Sequence, residues 1–519
     1  MNKKFIHIAL ALSCALVCQA AEPGKSQKLS SPDQVPEGLE KSDWQGIRQA
    51  YQASQFRSAK NAGLTTQQAY LKASNNEEVN GFGGSVAVSG DTVVVSAYVE
   101  DSPTTGVNRV PDQAAFNSGT ASFSAAAYVF VRSGGTWSQQ ACLKVSDTGW
   151  SNLSSTSVAI SGDTIVVKGL RGPAYVFVRN IGIWSQQAFL EANNNEEFNE
   201  FSDSVAISGD TVVIGDYLES SSASGVNSVP NGKASGSGAA YVFIRSGGTW
   251  SQQAYLKASN PGVFDFFGTS VAVSGNTVVV GAHLESSSTR GVNSIPNEAS
   301  FGSGAAYVFV RSGGTWRQQA YLKASNTGEF DGFGASVAVS GDTVVIGAYG
   351  ESSSTKGLNG NQANNRARNS GAAYVFTRRG GSWSQRAYLK ASNTGPSDEF
   401  GGFVAISGST IISGAIGEDS STSGINTVPN DTGTANDSGA AYIFALSAPF
   451  QVNVKTDMKL GKVTGAGSFT EGRNVTLKAT PKKDRTFVGW FEKKKLVSKN
   501  KKLVIRNLTT NRVLEAKFK

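Results

Sequence analysis

The residues best suited to chemistry are acidic side chains heading five similar segments: Glu100-Asp101, Glu219, Glu285, Glu351 and Glu418-Asp419. Each runs through Ser-rich sequence to an asparagine, at Asn108, Asn227, Asn293, Asn359 and Asn426. Carboxylate, hydroxyl and amide oxygens spaced along a loop are the ligand set of a hard cation such as Ca2+. They also suit a glycan. The same residue types equally build turns by bonding their own backbone, so two readings stand side by side: an ion or glycan site, and a self-capped loop.

Other chemistry is poorly supplied. Past residue 20 the chain has a lone histidine, His283, and a lone cysteine, Cys142. Neither a Ser-His-Asp triad nor a His-rich metal centre can be assembled from that stock. P-loop, G-x-S-x-G, H-E-x-x-H and C-x-x-C patterns are missing, and carboxylates do not pair at a fixed spacing. An enzyme is therefore not expected, and a polysaccharide-active one is the third of three functional readings. Cys142 stands where other copies of its segment carry Tyr or Phe, as a small apolar filler, and no disulfide can form within the exported chain.

The acidic segments belong to a repeated unit. Its turn glycines fall at Gly90, Gly162, Gly209, Gly275, Gly341 and Gly408, spaced by 72, 47, 66, 66 and 67 residues. Each unit holds four strand signals: S-V-A-V-S and T-V-V-V-G-A joined by a tight Gly-Asp turn, then A-A-Y-V-F-V-R and W-S-Q-Q-A-Y-L-K. Short β-runs at this period predict radial repetition of small sheets, a β-propeller. The first Q-Q-A-Y-L-K copy, Gln67–Lys72, precedes the first S-V-A-V-S, and the aromatic strand at Tyr442 has no such strand after it. The count closes as six four-stranded blades if residues 66–73 pair with about 440–446 and complete the last blade, removing two raw edges. The aromatic starts at Trp137, Trp184, Trp250, Trp316 and Trp383 are expected to pack between blades, with sugar stacking as the alternative. The Asx residues Asn80, Asn152, Asn199, Asp265, Asp331 and Asp398 read as a turn requirement.

The two ends differ from this body. Residues 1–20 read as a signal peptide, with Lys3 and Lys4 before an apolar stretch and cleavage near Ala20. Residues 21–64 read as a linker followed by one short amphipathic helix bearing Trp44, Ile47 and Tyr51. No later run is long enough to span a bilayer. The chain carries a net charge of +8, yet residues 451–519 alone hold 18 Lys and Arg against 5 Asp and Glu. An acidic body thus carries a basic tail, whose Lys493-Lys494-Lys495 and Lys499, Lys501 and Lys502 suit an acidic polysaccharide, nucleic acid or the propeller itself.

Phe82-Gly83, Phe267-Gly268, Phe333-Gly334 and Phe400-Gly401, with Gly281-Ala282, Gly347-Ala348 and Gly414-Ala415 after the second strand, resemble FG-GAP repeats, the blades of integrin α-subunit propellers. The resemblance spans residues 65–448 and implies an all-β propeller. The Pro of Gly-Ala-Pro is replaced by Tyr98, Tyr217, His283, Tyr349 and Ile416, and blade two lacks Phe-Gly. Integrin-type calcium loops do not carry over, because Ser340 to Thr343 and its equivalents are turns too short to wrap the ion. Residues 451–519, with Phe487-Val-Gly489-Trp490-Phe491, resemble the divergent InlB B-repeat, a small β-rich module of bacterial surface proteins.

These readings combine into a secreted or cell-surface binding protein of adhesion type. Its partner is an extracellular protein, glycan or matrix component met through the propeller loops, with calcium as the one cofactor in view. The alternative is a structural envelope or extracellular-matrix component without a discrete ligand.

Overall fold

The computed structural model describes residues 69–74, 81–97, 106–107, 126–144, 156–169, 172–193, 204–423, 429, 437–446, 450–469, 474–506, 508 and 510–519. The signal segment, the linker and the Trp44 helix lie outside the described residues. So do Glu100, Asp101, Asn108 and Asn426.

The repeat region folds into antiparallel sheets, one per unit, each with its strands side by side in chain order; in the first, the short Gly106–Val107 adds to the outer edge. In the third sheet these strands are Val205–Ser208, Thr211–Asp216, Ala239–Ser246 and Thr249–Leu256. The second strand is buried along its whole length, because both of its faces are covered. Val212 and Ile214 pack with Val166 and Val176 of the sheet before, and Val213 packs with Phe267 and Val278 of the sheet after. That explains an apolar run where a half-exposed strand would alternate.

Neighbouring sheets meet through backbone as well as side chains. Gly281 lies against the Gly334 carbonyl of the following sheet, so that a Cβ there would collide with it, and Gly215 and Gly347 make the same approach to Gly268 and Gly401. The paired Phe-Gly and Gly-Ala signatures therefore mark where two backbones touch. A second seam joins the first strands: the hydroxyls of Ser89, Ser161, Ser208, Ser274 and Ser340 accept from the turn amides of Gly162, Gly209, Gly275, Gly341 and Gly408, at 2.9–3.1 Å.

The seam between the second and third sheets departs from this pattern. Lys168 occupies the glycine position of its second strand and Asp216 the following alanine position, and both are fully buried. Each lies on the strand face turned toward the other's sheet, since Val166 and Ile214, two residues earlier, share one core cluster. Among the described residues no side chain hydrogen-bonds either Asp216 oxygen, and the amides of Leu218 and Glu219 lie near them. Burial first, and the charge of Glu219 second, push this carboxyl up to about 8, against a smaller pull from nearby amides and Lys168.

The last sheet has three strands, Phe403–Ser407, Thr410–Ala415 and Ala440–Ala445, without the expected closing strand. Residues 66–68 lie outside the described chain, and residues 69–74 form no strand. Instead Leu71 and Ala73 pack on Val95, Ala97 and Tyr128 of the first sheet.

Residues 450–519 form two further sheets. One is five-stranded and holds Phe450–Thr456 parallel to Arg512–Phe518; the other has three strands. Their core is Val452, Leu477, Trp490 and Leu514. Arg512 grips Glu492 with two bonds of 2.6 Å, and Lys493 and Lys494 form a tight turn with positive φ at both.

The Asp216 carboxyl sets a pH dependence. Its value rises from 3.8 in the unfolded chain to about 8 when folded, so the folded chain keeps a proton that the unfolded chain has released. The resulting stability is present below the unfolded value and lost as pH rises through the folded one. Asp216→Asn is expected to lose less stability than the parent between about pH 5 and pH 8, read as urea midpoints at each pH; parallel curves would contradict this.

Candidate ligand-binding loops

In sheets three to five, the loop after the second strand is built around a buried ion pair. Lys257 Nζ meets Glu219 Oε2 at 2.6 Å, Lys323 meets Glu285 at 2.9 Å, and Lys390 meets Glu351 at 3.0 Å. All six side chains are at most 1% exposed. Each lysine ends the W-S-Q-Q-A-Y-L-K segment, so the pair ties the loop to the outermost strand of its own sheet.

The ammonium donors are fully used. Lys257 also donates to Ser237 Oγ at 2.8 Å and to the Gly238 carbonyl at 2.6 Å, and Lys323 and Lys390 repeat these bonds with Ser303, Gly304, Ser370 and Gly371. The carboxylates are equally occupied. Glu285 Oε1 accepts from Asn260 at 3.0 Å, Ser287 Oγ at 2.6 Å and Tyr321 Oη at 2.9 Å, while Oε2 accepts from Lys323 and the Ser287 amide. Burial opposes the charge on Glu285, yet Lys323, Ser287 and Tyr321 hold it below the usual carboxylate range. Burial lowers the Lys323 ammonium in spite of Glu285, and raises the Tyr321 phenol, with Glu285 adding to it.

The asparagines of these loops also bond to the chain itself. Asn227, Asn293 and Asn359 adopt left-handed backbone, with φ of 56°, 54° and 52°. Their Oδ1 atoms accept from the Tyr255, Tyr321 and Tyr388 amides at 2.9–3.0 Å, and their own amides donate back to the same tyrosine carbonyls at 2.8 Å. Each loop so adds a rung to the outer sheet edge, which covers otherwise open backbone groups. In the last sheet Glu418 is buried and accepts from Asn393 Nδ2 at 2.7 Å, and Asp419 accepts from the Asp437 amide at 2.9 Å. Among the described residues no lysine faces Glu418.

Sequence reasoning missed the lysines, although a signal was there. The unit whose long loop and loop glutamate are missing, the second, reads Q-Q-A-F-L-E, so that Phe189 and Glu191 replace the tyrosine and the lysine. In sheets three to five loop glutamate and strand lysine occur together, and in the second unit both are replaced or missing. Three of the Asx residues expected as turn requirements are such: Asp265, Asp331 and Asp398 accept from the Gly262, Gly328 and Gly395 amides at 2.6–2.7 Å. Burial pushes Asp265 and Asp331 up to about 7. His283 stacks on Phe266 with centroids 5.8 Å apart, and burial lowers its imidazole.

The tryptophans sit at the seams. Trp184, Trp316 and Trp383 are buried, and their indoles donate to Gln140, Gln253 and Gln319 of the sheet before, at 2.7–2.8 Å. An arginine covers each ring at 5.1 Å: Arg179, Arg311 and Arg378. In two of these, Asp163 and Asp342 of the tight turns hold the guanidinium at 2.6 Å.

A family model described as FG-GAP repeat matches residues 65–130, 184–243, 250–309, 316–376 and 383–444. The chain belongs to the FG-GAP repeat family. A second model, divergent InlB B-repeat domain, matches residues 451–519. No curated protein matches the chain in sequence. Among solved structures, the computationally designed Ika8 protein aligns at 12% identity and a TM-score of 0.35 over 77% of this chain and 84% of its own. The designed Ika4 protein aligns at 12% identity and 0.24 over 42% of this chain and 93% of its own. Scores this low carry no argument. In these FG-GAP repeats no group of three His, Cys, Asp or Glu among the described residues is placed to hold a metal.

Removing one partner of a buried pair leaves an uncompensated charge. Lys323→Met is expected to cost about 3–5 kcal/mol in urea unfolding, and Lys323→Met with Glu285→Gln less than Lys323→Met alone. A single variant as stable as the parent would contradict the role given to the pair.

Proposed function

We propose that this chain is an exported binding protein of adhesion type, a six-bladed propeller whose loop face meets an extracellular protein, glycan or matrix partner. The FG-GAP repeats and the InlB-type module both favour an extracellular setting. Among the described residues no helix is long and apolar enough to cross a membrane. The loops take their shape from the chain's own lysines, and on this reading recognition needs no calcium. The basic module at 451–519 suits an acidic polysaccharide.

One observation carries the reading: aromatic side chains are held out from the loop face on strained backbone. Phe264 and Phe330 have φ of 61° and 59°, a conformation that bulky residues rarely take and that costs about 1–3 kcal/mol. Both are more than half exposed, as is Phe301, so their rings add little to the core. Their backbone is fixed: the Phe264 amide donates to Ser235 at 2.8 Å and the Phe330 amide to Phe301 at 3.0 Å. Phe301 and Phe330 stand edge to face at 5.4 Å, and Phe264 leans on Phe266 at 6.0 Å. Rigid exposed aromatics bind at low entropy cost, to apolar protein surface or to sugar faces.

The combined variant Phe264→Ser, Phe301→Ser, Phe330→Ser is expected to keep the parent's melting temperature and to lose at least about tenfold in affinity for partners captured on extracellular-protein and glycan arrays. Undiminished binding would contradict the reading.

A further inference from the structure

Of the sheets with a Trp-led outer strand, the second differs at its outer edge. In the first sheet Gly106–Val107 pairs with Thr136–Lys144, and in sheets three to five Val226, Val292 and Leu358 bridge to Leu256, Leu322 and Leu389. These rungs fill the outward backbone groups beside them. In the third sheet Asn227 takes both the amide and the carbonyl of Tyr255, and the Lys257 amide donates to the Gly225 carbonyl at 2.9 Å. The second unit has no long loop, and its outer strand, Ile183–Leu190, gains no rung among the described residues. Its register, Tyr175↔Phe189, matches Tyr241↔Tyr255, so the outward groups left open are the amide and carbonyl of Phe189 and the amide of Glu191. The side chains change with the edge. Phe189 is 59% exposed, whereas Tyr255, Tyr321 and Tyr388 at its position are at most 5%. Ile181 and Ile183, both exposed, stand where the other units carry glycine and a hydroxyl residue. Ile181 has φ of 49°, a conformation that a β-branched side chain rarely takes.

We infer that this edge pairs with the same edge of a second copy of the chain, antiparallel and centred on Phe189. An open edge is normally guarded by a charge or a proline, and Ile183–Leu190 has neither. That neutrality selects the occupant. A strand without charge meets itself with no like charges opposed, whereas a basic or acidic segment would find no opposite charge along it. Centring on Phe189 lets the two copies exchange both N–H to C=O bonds at that residue, which satisfies the groups that Asn227 satisfies on Tyr255. It also sets the two Phe189 rings side by side as a directly opposed aromatic pair. Glu191 then falls opposite Gln187 of the second copy, so the two glutamates stay apart. The bulge at Gln187 recurs at Gln253, Gln319 and Arg386 in sheets three to five, where it does not prevent a rung.

The pairing uses neither the loop glutamates nor Phe264, Phe301 and Phe330, so dimerisation and array binding can fail separately. In the full chain carrying Cys142→Ser, Phe189→Cys is expected to form a disulfide between two chains under mild oxidation, since directly opposed residues lie within bonding range. Ile183→Cys is more exposed but lies away from the centre, and should crosslink at least about tenfold more slowly. Equal rates at the two positions, or no bond at position 189, would overturn the assignment. Light scattering over a concentration series covers the case of a cysteine variant that does not fold. The parent is expected to pass from monomer to dimer, and Phe189→Lys, which sets two ammonium groups opposite one another, to raise the dissociation constant at least about tenfold. A parent that stays monomeric, or a Phe189→Lys chain that dimerises as the parent does, would refute the pairing.

Discussion

A loop of polar residues keeps a fixed shape when something inside it cannot be left unsatisfied. In this chain that is the ion pair joining Glu219, Glu285 or Glu351 to the lysine that ends the outer strand of its sheet. Two charges withdrawn from water are tolerated only where geometry and further hydrogen bonds fill every donor and lone pair. The serine, the glycine carbonyl, the tyrosine and the neighbouring asparagine do this, and in doing so they set the path of the loop. The Asn that closes each loop on the tyrosine backbone, and the bonds from Asn260 and Asn326 of the preceding sheets to Glu285 and Glu351, follow from that one requirement.

The seams between sheets obey a different economy. Glycine lies against glycine backbone, serine hydroxyls receive turn amides, and each Trp-Arg pair reaches back to the previous sheet. The serine contact recurs at five junctions and the glycine approach at three, so near-identical units could assemble in the wrong order. The Lys168–Asp216 junction breaks the repetition with one buried polar position on each side, and it coincides with the shortened unit. Such a junction distinguishes one neighbour from the others, at a cost in stability that grows as Asp216 ionises.

Much of the fold was legible because its signals are local. Alternation, Gly-Asp turns and the 66-residue spacing mark strands and sheets directly, and Trp184, Trp316 and Trp383 fell between sheets as their size suggested. The loop glutamates were harder. A Glu followed by serines and an Asn has the composition of an ion site, and composition does not say whether the side chain points inward. What decides it is a lysine some 38 residues further on, noticeable only by comparing units: the second, which lacks the glutamate, has Glu191 in the lysine's place. The exposed phenylalanines were not legible either, since left-handed backbone at Phe264 or Phe330 contradicts their intrinsic preference and is imposed by bonds from the adjoining loop.

Loops shaped by ion pairs alone and loops shaped by a bound metal differ in their response to Ca2+. Thermal unfolding of the chain in excess EDTA and then in millimolar Ca2+ distinguishes the two, because a ligand of the native state must raise the midpoint. The account predicts the same midpoint in both. A rise with Ca2+ that disappears in Glu219→Gln, Glu285→Gln and Glu351→Gln would contradict it.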